Sequence, residues 1–400
     1  MKSTVSIVRG GDLESRVLRA VELLGGMERF IESGDAVLIK PNLVDGKDPE
    51  TGETVHPQVI KALIRLAFDS GAGRVIVGEG PTLYVRSLNR PLHREVRRIA
   101  EKEGAEMINF EEHPFVKVRL KNPVCFSEVK VPKPLLECDV LINVPALKTH
   151  HLVGVTVALK NLYGVLSLED KRRYHALDKT EEIIVDLNLA RRSDLTVVDG
   201  TYATHHLPPL KRLTLNLTIA GDDPVAVDAV SAKILGLDPE KIRILKWAEE
   251  RGLGTSDLNR IRILGLPIRE AFREKATTIV DIVNYLYDGM IVLVNGDACT
   301  GCFCRLGTEL CMDYDVSSLK RSLYILCGPE AEPPGDVDVI FCGDCLRLKY
   351  EESSRGVFVP GCPPALEDFR RALSRFNLHS SGVLSRRVLR MYLKGPIIKA

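Results

Sequence analysis

The chain has 400 residues, of which 45% are hydrophobic, so it is long enough for two domains that each bury a core. Its 55 lysine and arginine residues nearly balance its 54 aspartate and glutamate residues, and this balance argues against nucleic-acid binding or electrostatic attachment to a membrane. The N-terminus lacks the apolar core of a secretory signal, and no run of about eighteen apolar residues occurs, so we expect a cytoplasmic protein without a membrane span.

Helical and strand-like patterns alternate along residues 1–287, which we predict to form the first domain. Helical spacing of apolar residues at 12–32 and 57–73 alternates with short apolar runs at 36–40 and 74–80. Further along, strand patterns follow at 139–145 and 194–200, a helical pattern at 179–192, and two helices within 224–251. This rhythm predicts an α/β domain with a mostly parallel sheet flanked by helices.

Polar side chains follow each predicted strand. They are Lys40 and Asn42 after the first, Glu79 after the second, Asn143 and Lys148 after the third, and Asp199 after the fourth. Because ligands bind at the carboxyl edge of open parallel sheets, we expect these side chains to share one crevice. For any single residue, ordinary loop formation is the alternative explanation.

The densest group of cations and imidazoles lies in residues 145–164. It contains Lys148, His150, His151, Lys160 and Asn161 around an apolar segment. Lysines act as point charges and histidines titrate near neutrality, so the group predicts a site for a carboxylate or phosphate. A histidine and a desolvated lysine can also act as acid and base. The alternative is a histidine that caps local backbone beside lysines that face water.

The segment after residue 221 predicts a helix with a proline at its first position. Asp222 or Asp223 is the expected cap before Pro224, and we favour a structural role for Asp222. Asp228 lies about one turn further along, where it either points into the crevice or pairs with a surface lysine.

From residue 288 the sequence changes, and eight of the ten cysteines lie between residues 299 and 362. Three strand-like runs finish at Cys327, Cys342 and Cys362, so parallel strands would bring their sulfurs to one edge. A reducing cytoplasm disfavours disulfides and favours metal or redox chemistry. We therefore predict a smaller α/β cysteine-rich domain at 288–380, followed by a basic tail at 381–400.

The predicted cofactor is an iron–sulfur cluster of the 4Fe–4S type, because such clusters take four cysteine thiolates. The predicted ligands are Cys299, Cys302, Cys304, Cys342, Cys345 and Cys362. Zinc is the alternative, since separated C-x2-C pairs also hold structural zinc. Cys125 and Cys138 lie in or beside apolar runs and are expected to be buried hydrophobic residues, and Cys311 or Cys327 is expected to be a spare.

Several motifs together resemble the domain-of-unknown-function family 362 over roughly residues 5–265. They are LIKPNLV, TVHPQVIKALI, GEG, LINVPALKTHHLVGVTVALKNLYG, LTVVDG, AGDDPVAVDAVSAKILGLDP and GLG. The resemblance implies a polar signature at Lys40, Asn42, His56, Glu79, Lys148, His150, Lys160, Asn161, Asp199, Asp223 and Asp228. It also implies attached ferredoxin-like iron–sulfur modules and an outline similar to the N-terminal domain of lactate racemase-like proteins. The sequence departs from the family at TYATHHLPPL, where His205 and His206 alter one wall.

These patterns predict a redox enzyme that acts on a small anionic substrate and exchanges electrons with a donor or acceptor protein. The predicted catalytic residues are His150, Lys160, Lys148 and Asp199, and the predicted substrate-binding residues are Lys40, Asn42, His56, Glu79, Asn161 and His151. Two alternatives stay open, a non-catalytic iron–sulfur electron carrier or assembly partner, and a zinc-stabilised small-molecule-binding protein or racemase-like isomerase. No G-x-G-x-x-G motif follows the first strand, so a dinucleotide cofactor is not supported, and a homodimer is left open.

Overall fold

A computed structural model describes residues 3–83, 85, 87–204, 212–272, 279–353 and 356–385. His205 and His206, and the predicted basic tail beyond residue 385, lie outside the described residues. Within the described part of the chain, no helix combines the length and the apolar character that a membrane crossing requires.

The strands alternate with helices along most of the chain. The strands are β1 (Ser3–Arg9), β2 (Ala36–Pro41), β3 (Arg74–Glu79), β4 (Glu106–Asn109), β5 (Phe115–Arg119), β6 (Glu128–Pro132), β7 (Val140–Val144), β8 (Ala146–His150), β9 (Gly154–Thr156), β10 (Leu195–Thr204), β11 (Arg212–Gly221), β12 (Ile261–Gly265), β13 (Ile291–Asn295), β14 (Met312–Tyr314), β15 (Leu323–Cys327), β16 (Asp338–Cys342), β17 (Val357–Val359) and β18 (Ser380–Leu384). The helices are α1 (Leu13–Leu23), α2 (Pro57–Asp69), α3 (Pro91–Lys102), α4 (Lys133–Glu137), α5 (Ala158–Asn161), α6 (Leu168–Ala176), α7 (Thr180–Ala190), α8 (Pro224–Ile234), α9 (Arg243–Glu250), α10 (Ile268–Ala271), α11 (Ile279–Leu286), α12 (Thr300–Leu310), α13 (Arg347–Glu352) and α14 (Leu366–Ser374).

A ten-stranded sheet forms the first part of the fold, in the order β12-β1-β11-β10-β7-β2-β3-β4, with β8 beside β10 and β9 beside β8. Strands β10, β7, β2, β3 and β4 run parallel, whereas β11 is antiparallel to both β1 and β10. The predicted α/β architecture with a mostly parallel sheet is confirmed. Parallel strands place their carboxyl ends at one edge, and this edge carries the candidate site described below.

Both faces of this sheet are covered, as the continuous apolar run in β2 predicts. Val37 and Ile39 pack with α1, α2 and α3 on one face, while Leu38, whose side chain points the other way, packs with α7 and α8 on the opposite face. Because alternate residues of a strand face opposite sides, a strand between two helical layers needs apolar residues at every position. The polar residue that ends the run, Lys40, then emerges at the edge.

Helix starts follow the predicted capping chemistry. Asp223 caps α8, because its Oδ1 accepts hydrogen bonds from the N–H groups of Val225 and Ala226 at 2.9 and 3.0 Å. Pro224 occupies the first helical position, where no N–H is needed. Asp222 instead pairs with Arg29. The expected cap is therefore the second of the two aspartates.

A second, four-stranded sheet in the order β13-β15-β16-β17 is parallel throughout. Its core includes Ile291, Leu323 and Ile340 together with Phe369 of α14. Helix α11, which precedes the predicted boundary at residue 288, also packs in this core. The predicted parallel arrangement of the cysteine-ending strands is thus confirmed for β15 and β16, where Cys327 lies opposite Cys342.

Candidate functional site

A crevice of about 420 Å³ opens at the carboxyl ends of β2 and β3, beside β8 and α5. Its charged lining consists of Lys40, Lys47, Lys148, Lys160, Lys171, Asp45, Glu53 and Glu79. Its neutral polar lining includes Asn42, Thr82, Thr156, Asn161, Tyr163, Thr180, His150, His151 and His175. Five lysines against three acids leave a surplus of positive charge, and such a lining attracts anions.

Lys40 and Glu79 form a buried ion pair at the floor of the crevice. Lys40 Nζ donates to Glu79 Oε1 at 2.8 Å and to the Pro41 carbonyl at 2.7 Å, and Glu79 Oε2 accepts from Leu43 N–H at 3.0 Å. Burial lowers the pKa of Lys40, and the charge of Glu79 opposes this effect. A Cβ atom on Gly164 would lie only 2.6 Å from Lys40 Nζ, so the pair requires glycine there.

Lys148 and Lys171 line the same crevice, and their amines donate hydrogen bonds to backbone carbonyls. Lys148 Nζ donates to the Glu53 carbonyl at 2.8 Å, and Lys171 Nζ donates to the carbonyls of Pro81 and Gly164 at 2.7 and 2.9 Å. Burial lowers the pKa of each amine to about 8. These lysines have fixed positions, because their donors are already directed at oxygen atoms of the loops.

Lys160, which is half-buried, differs from the buried lysines Lys40, Lys148 and Lys171. Among the described residues its amine makes no hydrogen bond or ion pair, and it lies 5.2 Å from the centre of the Tyr163 ring. Withdrawal from bulk water lowers its pKa to about 7, and the positive charges of Lys148, Lys171 and Lys40 lower it further in the same direction. A ligand in the crevice would therefore meet an amine that no protein group already occupies.

Two buried oxygens of the crevice wall also lack partners. Asn42 and Thr156 are each 5% exposed, and neither Asn42 Oδ1 nor Thr156 Oγ1 has a hydrogen-bond partner among the described residues. Buried polar atoms are almost always paired, so an unpaired atom that lines a cavity indicates a bound molecule. Asn42 and Thr156 line the same crevice as Lys160.

Three histidines surround the mouth of the crevice. The rings of His150 and His151 stack with 4.5 Å between centres, and His150 Nδ1 accepts from Leu152 N–H at 3.1 Å. Burial, together with the charge of Lys160, lowers the pKa of His151 to about 4 and also lowers the pKa of His175. His151 and His175 are therefore neutral at pH 7 and can accept a proton.

Asp228 positions the helix that carries Lys160. It is fully buried, and its two carboxylate oxygens accept from the N–H groups of Ala158 and Leu159 at 2.5 and 3.1 Å, at the start of α5. It therefore holds α5 rather than pairing with a surface lysine. At the other end of α5, Asn161 Nδ2 donates to the Lys40 carbonyl at 3.1 Å.

Asp199 and His56, predicted as site residues, do not line the crevice. Asp199 Oδ2 accepts from His56 N–H at 2.8 Å and its Oδ1 accepts from Thr201 N–H at 2.9 Å, while His56 Nδ1 caps α2 by accepting from Gln58 N–H at 3.2 Å. The reason is that β10 continues to Thr204, so Asp199 is an internal strand residue and not a strand end. These two residues link β10 to α2.

The other residues predicted as catalytic or substrate-binding do come together, whereas Asn143, expected at the same edge, does not line the crevice. Lys40, Asn42, Glu79, Lys148, His150, His151, Lys160 and Asn161 all line the crevice. The sequence interpretation missed further lining residues, namely Lys47, Glu53, Thr156, Lys171 and His175. Thr156 lies within the dense segment 145–164, so its hydroxyl group could have been included among the predicted residues. Lys171 lies in a highly charged helix, and no local signal separates it from a surface lysine.

Six cysteines converge at the carboxyl end of the second sheet. They are Cys299, Cys302, Cys327, Cys342, Cys345 and Cys362. The turn at Gly343 lies between them, since a Cβ atom there would be 3.5 Å from Cys302 Sγ and 3.6 Å from Cys345 Sγ. The Cys302 thiol donates to Cys299 and lowers the pKa of Cys299 to about 5. Cys327, expected as a spare, therefore lies within the group.

The remaining cysteines lie elsewhere. Cys304, predicted as a ligand, lines a separate cavity, and its sulfur faces the backbone N–H of Gly154 in the first domain. Cys311 and Cys138 are buried, as expected for small hydrophobic residues, whereas Cys125 is exposed. Within the described residues, no three His, Cys, Asp or Glu side chains are arranged to hold a single metal ion.

A second cavity of about 330 Å³ separates the two sheets. Thr149, His150 and Ile242 line it from the first domain, and Ala298, Thr300, Phe303 and Cys304 line it from the cysteine-rich segment. Thr300 Oγ1 accepts from Arg243 N–H at 3.1 Å, which joins the start of α12 to α9. His150 lines both this cavity and the lysine crevice, so the two spaces adjoin at this residue.

Residues 37–233 match the family described as "Domain of unknown function (DUF362)", which confirms the resemblance over that stretch. Thylakoid-associated protein sll1697 from Synechocystis sp. (strain ATCC 27184 / PCC 6803 / Kazusa) is 29% identical over 270 residues, covering 63% of this chain and 81% of that protein. The lactate racemase apoprotein from Thermoanaerobacterium thermosaccharolyticum is similar with a TM-score of 0.36 and 10% identity, over 94% of this chain and 90% of that chain. The family match includes every residue that lines the crevice.

Proposed function

We propose that the chain is a redox enzyme that binds a small carboxylate or phosphate compound in the lysine crevice and holds an iron–sulfur cluster among the converging cysteines. The observation that carries the proposal is that, within the described part of the chain, the Lys160 amine makes no hydrogen bond or ion pair and the side-chain oxygens of Asn42 and Thr156 are unpaired. A carboxylate or phosphate can accept from the amine and the Thr156 hydroxyl. An Asn42 amide rotated by half a turn supplies another donor.

The charge balance of its lysines and acids favours an anion over a neutral ligand in this crevice. Lys40 is neutralised by Glu79, and Lys47 by Glu53, whose carboxylate accepts from Lys47 Nζ at 2.7 and 2.8 Å. The amines of Lys148, Lys160 and Lys171 form no such ion pair within the described chain, and all three line one cavity. Buried like charges repel, so a bound anion stabilises them more than water does.

The cysteine group has the donor chemistry that an iron–sulfur cluster needs. Such clusters bind four thiolates, and a thiolate is already favoured at Cys299. Cys302, Cys327 and Cys342 are nearly or fully buried, while Cys345 and Cys362 are exposed, so the group extends from the core to the surface. When bound, a cluster supplies one-electron transfer. The exposed side of the group would face an electron donor or acceptor protein.

The two sites adjoin at His150, and for this reason we assign them to one reaction. His150 borders the crevice, and the cavity on its other side is bordered by Ala298, Thr300 and Cys304, which flank or follow Cys299. Glu181 lies at this junction, where it is within electrostatic reach of Cys299 and next to Thr180 of the crevice. An electron carrier without a substrate would not need the polar crevice.

The anion site is tested by thermal unfolding of the full chain with phosphate, pyruvate, citrate and uncharged glycerol. An anion at a hundred times its Kd adds about 2.7 kcal/mol to the free energy of unfolding, which raises the melting temperature measurably. Asn42→Asp is expected to abolish the shift, because it places a negative charge beside the ligand. Asn122→Asp adds the same charge at an exposed turn and should keep the shift. If no anion shifts the melting temperature, the crevice is not a small-anion site.

The cluster is tested by metal and sulfide analysis of protein purified without oxygen. We expect iron and acid-labile sulfide, with broad visible absorption that dithionite bleaches. Cys342→Ser, Cys345→Ser and Cys362→Ser are each expected to reduce the iron content, whereas Cys125→Ser, outside the group, should retain it. Stoichiometric zinc without iron or sulfide would replace the redox proposal with the zinc-stabilised alternative. Bound iron without any anion-induced shift would favour the electron carrier.

A further inference from the structure

Among the described residues, Lys160 is the one lysine of the crevice whose amine makes no hydrogen bond or ion pair. Lys40, Lys148 and Lys171 each donate to one or two oxygens at 2.7–2.9 Å. For Lys160 the described part of the chain offers only the face of the Tyr163 ring, 5.2 Å away. A lysine used only to attract anions needs no such freedom, because a hydrogen-bonded ammonium attracts them as well.

The surroundings of Lys160 also keep it reactive. The charged groups of the crevice are Lys40, Lys47, Lys148, Lys171, Asp45, Glu53 and Glu79, with His150, His151 and His175 as further titratable groups. Its pKa is lowered to about 7 by burial and by the lysine charges, so roughly half of the amine is unprotonated at pH 7. An ordinary lysine, with a pKa of about 10.4, is almost fully protonated at that pH and is a poor nucleophile.

The geometry around the amine suits a carbonyl compound with an acidic group. Lys148 and Lys171 lie in the same cavity with fixed ammonium groups that can hold a carboxylate. Among the described residues, Asn42 Oδ1, which can accept from a hydroxyl group, and the Thr156 hydroxyl, which can donate to a carbonyl oxygen, have no partner. His151 and His175 line the same crevice, and burial together with the charge of Lys160 lowers the pKa of both imidazoles.

We propose that Lys160 forms an imine with the carbonyl carbon of a small 2-oxo acid bound in the crevice. This inference deepens the proposed anion site and rests on it. The unprotonated lysine nitrogen forms a bond to the carbonyl carbon, its two protons pass to the carbonyl oxygen, and this oxygen leaves as water as the C=N bond forms. A proton from solvent then gives the protonated imine. The step is neither an oxidation nor a reduction, and hydrolysis reverses it. The protonated imine then withdraws electrons from carbon 3 of the acid, which favours loss of a proton there.

The test is reductive trapping of the full chain with pyruvate and sodium cyanoborohydride, followed by peptide mass mapping. We expect one reduced adduct, located at Lys160, with a yield that rises through about pH 7, well below the range of an ordinary lysine. Lactate carries the same carboxylate without a carbonyl group and should give no adduct. Lys160→Arg keeps the charge and should lose the adduct, whereas Lys102→Arg, at an exposed helix end, should retain it.

Each outcome separates this inference from the proposal on which it rests. If pyruvate and lactate both raise the melting temperature but no adduct forms at Lys160, the imine is overturned and the anion site stands. Adducts spread over surface lysines, or located at Lys148 or Lys171, overturn it as well. If neither compound nor any other anion shifts the melting temperature and no adduct forms, both proposals fall.

Discussion

Replacing Glu79 by alanine is expected to lower the free energy of unfolding of the first domain by about 3–5 kcal/mol. The change leaves the Lys40 ammonium, which is 1% exposed, without its counter-charge in a site with little water. It also removes the acceptor of the Leu43 N–H, which Glu79 Oε2 binds at 3.0 Å. Few single changes combine an unpaired buried charge with an unpaired buried donor, and this combination explains the size of the effect.

Urea unfolding followed by tryptophan fluorescence measures the free energy of unfolding of the first domain. The chain has a single tryptophan, Trp247, which lies on α9 in the first domain. Glu22→Ala is the matched control. Glu22 pairs with Arg19, and the side chains of Arg19 and Glu22 are 60% and 57% exposed. Such exposed pairs contribute at most about 1 kcal/mol to the free energy of unfolding. A loss for Glu79→Ala no larger than that of the control would contradict a charged, buried pair.

Replacing Asp228 by alanine is expected to cost about 2–6 kcal/mol, because two buried N–H groups, those of Ala158 and Leu159, lose their acceptor at about 1–3 kcal/mol each. The start of α5 is then no longer held, so anion binding at Lys160 should weaken too. Asp257→Ala removes a carboxylate that caps an exposed short 3₁₀ helix and serves as the control. If Asp228→Ala unfolds at the same urea concentration as the wild type, Asp228 does not position α5.

The same residue predicts a pH dependence. Burial raises the pKa of Asp228 from 3.8 to about 7 in the folded state. The folded state therefore binds more protons than the unfolded state between these values, and the contribution of Asp228 to stability falls as the pH rises from about 4 to about 7. The stability difference between the wild type and Asp228→Asn should shrink across this range. A difference that is constant with pH would mean that burial does not perturb this carboxyl group.

Sequence patterns were sufficient for those strands whose apolar runs are continuous. The runs at 36–40 and 74–80 correspond to β2 and β3 within a residue, because strands covered on both faces need apolar residues at every position. The end of β10 was not predictable in this way. It extends to Thr204 because β11 pairs with it, with a register shift between Gly200 and Tyr202, and β11, the next strand of the chain, was not among the predicted strands.

The site was predictable to the extent that its residues lie at ends of predicted strands or within one dense segment. Lys171 was not, because its helix LEDKRRYHA is almost entirely polar and resembles a surface helix. Its burial depends on the close approach of two loops. A Cβ atom on Gly80 would lie 2.4 Å from the Gly164 carbonyl, and it is this carbonyl, together with that of Pro81, that accepts from Lys171. Such contacts between distant segments leave no periodic trace in the sequence.

The position of β1 in the sheet has a consequence for biosynthesis. Of the described strands, β1 leaves the ribosome first, yet its neighbours are β11 and β12, and its pairs join Val5 to Gly221 and Ser3 to Ile261. At about 5–20 residues per second, translation needs roughly 10 s or more to deliver these partners. Val5 and Ile7, which are fully buried in the finished sheet, have no native strand partner during that interval. The earliest strand to be synthesised is therefore among the last to be incorporated, and the nascent chain must keep it from pairing with other chains until then.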